Sequence, residues 1–124
     1  MIKIRQHGHN QELFDMNLFK GDIEKFYAIE ECEIQIDWCS GERAQEIEKM
    51  SAQPVRIQNS EFWRLYAGIY QTIDGSFSGL VNGVESCKLK AVDSLFWEIS
   101  GSKEFEEHMK LTYGDLNEQP TNCP

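Results

Sequence analysis

The chain of 124 residues carries 21 acidic against 12 basic side chains, a formal charge of −9, and is 40% hydrophobic and 11% aromatic. That length fits one domain able to bury about two-thirds of its unfolded surface, and the apolar content is too high for a disordered acidic protein. The negative excess argues against a general binder of nucleic acid or anionic membranes, which needs Lys and Arg against phosphate, and favours a cationic partner.

The opening residues, MIKIRQHGHNQELF, lack the apolar stretch of a secretory signal. No window approaches the run of about 18 apolar residues that spans a bilayer, so a cytoplasmic protein is expected. In such a reducing compartment Cys32, Cys39, Cys87 and Cys123 are expected as free thiols.

Residues 1–5 place Ile2 and Ile4 on one side and Lys3 and Arg5 on the other, a short strand. Residues 11–28 hold many apolar side chains around Gly21 and read equally as a loop with a helical turn or as another strand. Over 31–39, Cys32, Ile34, Ile36 and Trp38 alternate with Glu31, Glu33, Gln35 and Asp37, which predicts a strand with one face in the core and one in water. Ser40 is a cap candidate, and Ala44, Ile47 and Met50 predict an amphipathic helix over 41–51 that the Gln53-Pro54 pair stops. Val55 and Ile57 suggest a brief strand. Over 60–73 helical and alternating patterns overlap, and the balance falls on a helix beginning at Ser60.

Asp74-Gly75 and Asn82-Gly83 both suit tight turns, bracketing a strand at 77–81 that pairs with 84–92. Asp93-Ser94 breaks that run, and Leu95, Trp97 and Ile99 alternate in a further strand. Ser102 caps a last helix with Phe105, Met109 and Tyr113 on one face and Gly114 as its C′ residue. The expected fold is a single α+β domain over residues 1–114, a mainly antiparallel sheet with two or three helices packed on it, followed by a flexible C-terminal tail at 115–124.

No assembled catalytic or metal-binding set stands out. His7 and His9 are two apart on an extended chain, as metal ligands can be, but there is no CxxC or HExxH to complete a site, so no metal and no cofactor are expected. No nucleophile motif surrounds any Ser or Cys, and the glycines at 75, 79 and 83 read as turns, not as a phosphate loop. The charge itself is unevenly placed: residues 22–48 hold nine acids against two bases, a net −7. Glu31, Glu33 and Asp37 line one strand face, and Glu42, Glu46 and Glu48 follow on the next helix. Such a surface steers a cationic protein partner, with Trp63 and Tyr66 as candidate apolar anchors.

Residues 88–109, KLKAVDSLFWEISGSKEFEEHM, run from a strand through a VDS break and an aromatic FWEI strand into a capped acidic helix. This pattern resembles stretches of small bacterial proteins, several of them immunity proteins encoded beside polymorphic toxins. The resemblance implies a cytoplasmic antidote, not an enzyme, that covers the basic site of a cognate toxin domain, often a nuclease. The alternative from a different class is a small enzyme or ligand-binding domain with a pocket between sheet and helices, using Asp93, Glu98 or His108.

Overall fold

A computed structural model describes residues 1–116; Cys123 and most of the expected tail lie outside the described residues. The elements follow in the order β1 (Ile2–Arg5), α1 (Met16–Phe26), β2 (Glu31–Ser40), α2 (Ala44–Met50), β3 (Val55–Gln58), α3 (Asn59–Tyr66), β4 (Gln71–Val81), β5 (Val84–Val92), β6 (Phe96–Ser100) and α4 (Lys103–Tyr113). The six strands form one antiparallel sheet in the order β1-β6-β5-β4-β2-β3, so the fold is α+β, as expected from the sequence.

Inward side chains from each strand meet one core. Ile4, Trp97, Leu89, Phe77, Ile34 and Ile36 face Phe19 and Ile23 of α1, Phe62 and Leu65 of α3, and Phe105 and Met109 of α4. Rings lock the layers together: Phe19 meets Trp97 edge-on at 5.3 Å, and Phe62 lies 4.6 Å from Phe77. The fourth helix, α2, lies against β2 and sends Ile47 into the same core.

Where β3 ends, α2 and its C-cap Ser51 supply the hydrogen bonds that the flank of β2 would otherwise lack. Ser51 Oγ accepts from the Ile36 amide at 3.0 Å, and the Glu48 carboxylate accepts from the Cys39 amide at 2.9 Å. One of the acids of the 22–48 segment is thus a backbone clamp, not a surface charge. Ser51→Ala is expected to lower stability by about 1–2 kcal/mol in urea unfolding, because a buried amide loses its acceptor; no change would mean that water reaches Ile36.

Six local readings are corrected. Residues 16–26 are a helix, neither loop nor strand, capped by Asp15, whose carboxylate accepts from the Met16 amide. Asp74-Gly75 is not a turn but lies inside β4, where a Cβ on Gly75 would approach Ile36 Cδ1 to 2.9 Å. Ser40 ends β2 instead of capping α2, whose N-cap is Arg43, and α3 stops at Tyr66, so that residues 71–73 belong to β4. Leu95 is 65% exposed in the turn before β6, where Asp93 and Ser94 both adopt positive φ. The Asn82-Gly83 turn, with φ of 51° and 74°, forms as expected, as does α4 behind its Ser102 cap.

The sixth correction concerns Trp38. A bulge at Asp37 shifts the register of β2 against β4, pairing Ile36 with Gly75 but Trp38 with Asp74. One extra residue turns the alternation over. Cys39 is therefore buried and Trp38, expected in the core, is 60% exposed.

Candidate functional site

The core covers one face of the sheet; the other face carries a grid of polar side chains. Arg56, Glu33, Ser78, Lys88 and Ser100 lie in register across β3, β2, β4, β5 and β6. One row along, Gln35, Ser76, Lys90, Glu98 and Lys3 run from β2 to β1. Acids thus alternate with bases across the strands, and the field on this face is bipolar, not uniformly negative.

At the end where β2 finishes and β6 begins, the face becomes apolar. Trp38 stands beside Asp74, while Val92, Phe96 and Arg5 lie side by side on β5, β6 and β1. By alternation these point away from the buried Ala91 and Trp97. The ammonium of Lys3 sits 4.9 Å from the Phe96 ring centre, and Leu95 projects from the adjoining turn. Three aspartates lie at this end: Asp37 in the bulge, Asp74 on β4 between Trp38 and β5, and Asp93, whose amide donates to Asp74 Oδ1 at 2.9 Å.

The acids named from the sequence do not form one continuous surface. Glu33 pairs with Arg56 and Glu46 with Arg43, each at 3.0 Å. Glu31, Asp37 and Glu42 meet no cation at ion-pair distance among the described residues, and they lie on separate parts of β2 and the loop after it. Asp22, at the start of the acidic segment, is buried between helices, where it meets His108 Nε2 at 2.7 Å and accepts from the Tyr113 hydroxyl.

Nor are the expected anchors free. Tyr66 is 1% exposed, with its hydroxyl on Thr72 Oγ1 deep in the core, so it is not a docking residue. Trp63 is half-buried against Phe62 and Phe77, and its indole N–H donates to Asn59 Oδ1 at 3.0 Å. The exposed aromatics are Trp38 and Tyr70, the latter 69% exposed where its amide donates to the Ser40 carbonyl. A sequence signal for Trp38 existed: Trp38-Cys39 puts two apolar residues in succession, and both cannot face the core of a regular strand.

Groups named for chemistry are apart. Asp93 is in the β5–β6 turn, Glu98 lies 4.0 Å from Lys3 on the open face, and His108 is on α4 against Asp22. Among the described residues no three His, Cys, Asp or Glu side chains converge as metal ligands, His7 and His9 included. Cys32, Cys39 and Cys87 are free and buried. Burial pushes the thiols of Cys32 and Cys39 up to about 12 and that of Cys87 up to about 11, so they stay protonated at neutral pH.

The fold and this face define a small α+β domain that presents an open, mixed-charge sheet surface with an aromatic end. Compared with known proteins, the chain matches no family model, no curated protein and no solved structure. Among the described residues no helix is long and apolar enough to cross a membrane.

Proposed function

We propose that this protein is a protein-binding domain of the immunity type, which neutralises a cognate bacterial toxin domain in the cytoplasm by covering its basic site. The observation that carries the reading is the exposed Trp38 of β2, which faces Val92 and Phe96 across Asp74 of β4, with Asp37 in the bulge and Asp93 in the turn after β5. Tryptophan is over-represented among the few residues that dominate binding energies, and aspartates around it select a partner carrying Lys and Arg.

Trp38→Ala is expected to weaken binding to the cognate toxin domain by about 30-fold, the equivalent of a 2 kcal/mol anchor. Charge reversal at Asp37 and Asp74 should slow association at low salt and lose its effect at high salt. Affinity and rates by surface plasmon resonance check both. Full affinity in Trp38→Ala, with the variant folded by circular dichroism, removes the open face from the interface.

A further inference from the structure

Along β4 the open face sinks into a groove of about 490 Å³. The cause is side-chain length: β4 contributes Asp74, Ser76 and Ser78 to this face, while β2 on one side and β5 on the other carry longer residues. The walls stand two strand spacings apart, about 10 Å, which is room for one extended chain.

The walls carry opposite charge. Gln35 and Asp37 of β2 line one side, Lys88 and Lys90 of β5 the other, and Asp74, Gly75 and Ser76 of β4 the floor, where Asp74 adds a second negative charge. Neither lysine forms an ion pair with a described residue, and neither does Asp37. A purely basic partner would satisfy the aspartates and be repelled by the lysines. An extended segment lying on its edge sends successive side chains to opposite sides, so a cation at one position and an anion at the next would satisfy both walls.

We propose that this groove receives an extended segment of the partner protein in which basic and acidic side chains alternate. The proposal rests on the reading of the open face as the binding surface and specifies the partner further: its contact is bipolar. Electrostatic selection at the groove is then one of register, since a slip by one residue sets like charges together.

The test uses blocked peptides and amide chemical shifts of the labelled protein. Lys-Glu-Lys-Glu-Lys-Glu is expected to titrate the amides of Ser76, Lys88 and Lys90, whereas Lys-Lys-Lys-Glu-Glu-Glu and Lys-Ser-Lys-Ser-Lys-Ser shift them weakly at equal concentration. Replacing both lysines, Lys88→Glu with Lys90→Glu, should weaken the alternating peptide by about fivefold, in keeping with exposed ion pairs. Equal binding of the block peptide, no titration by the alternating one, or tighter binding in the double variant each overturns the bipolar groove. These outcomes are separate from the loss of toxin binding in Trp38→Ala, which tests the open face as a whole.

Discussion

Gly41→Ala is expected to destabilise the fold by about 3 kcal/mol or more. Gly41 has a φ of +131°, a conformation that in practice only glycine adopts. A Cβ there would meet three backbone atoms, Gly68 O at 2.5 Å, Tyr70 N at 2.7 Å and Ile69 Cα at 2.9 Å. None of them can swing aside as a side chain would. The contact is tight because the loop after β2 is stitched to the end of α3: Arg43 donates to the Gly68 carbonyl and Tyr70 to the Ser40 carbonyl. Gly83→Ala is the internal control, since Gly83 also has positive φ, +74°, but open space around it. Its loss should be about 1 kcal/mol, from backbone strain alone. Urea midpoints compare the two; equal losses would mean that the 41–43 loop yields without harm to the core.

The second large effect is a dependence of stability on pH that runs against the usual direction for a carboxylate. Asp15 is buried beneath the start of α1, accepting from the Met16 amide, the Thr72 amide and the Thr72 hydroxyl at 2.8–2.9 Å. Burial pushes its carboxyl from 3.8 up to about 6, although these hydrogen bonds pull the other way. A raised carboxyl means that the folded state holds a proton which the unfolded chain has released. The stabilisation is therefore complete below about pH 4 and is lost as pH rises through about 6. The difference between 3.8 and about 6 corresponds to roughly 3 kcal/mol.

Chemistry in the pocket can accommodate that proton. Thr72 Oγ1 lies between Asp15 and the Tyr66 hydroxyl, so the chain of hydroxyls can reverse and accept a hydrogen from Asp15. Gln6 fastens the same spot by donating to the Thr72 carbonyl at 2.6 Å, and Gln71 in turn donates to Gln6 Oε1. Asp15→Asn lacks the titrating group and should unfold with a flatter pH profile. The stability gap between the natural protein and the variant should close by about 3 kcal/mol from pH 4 to pH 7. Parallel profiles in chemical denaturation would show that Asp15 stays ionised throughout.

How much of this was legible before folding follows the clarity of each local signal. The alternation of β2 from Glu31 to Ile36, the Asn82-Gly83 turn and the Ser102 cap each specified its element, because one pattern was present without a rival. Helix α1 was obscured by Gly21 at its centre and by Asp22 on its buried side, a polar residue where the period calls for an apolar one. Its partners, His108 and Tyr113, lie on α4 more than eighty residues along the chain, a distance at which no local period can speak for them. Asp74-Gly75 has the composition of a turn, yet the glycine serves close packing against Ile36, and the aspartate reaches across to the Asp93 amide.

For the site, the acidic segment identified β2 as an edge of the candidate surface but could not show its neighbours. Opposite charges on β3 and β5 come from residues distant in sequence, and sheet order alone brings Arg56 and Lys88 level with Glu33. The bulge at Asp37 then exchanged the places of Trp38 and Cys39. A single inserted residue thus decided which aromatic is available to a partner, while Tyr66 was lost to the core by its bond to Thr72.

The two borders of the sheet bear on how this molecule meets others. At one border Leu116 donates its amide to the Lys3 carbonyl of β1. At the other, β3 is only four residues long and passes directly into α3, while α2 occupies the flank of β2 beyond it. Strands that recruit further strands need a long, bare margin, and neither border offers one. Growth by strand addition, the route to fibres and swapped sheets, is discouraged at both sides.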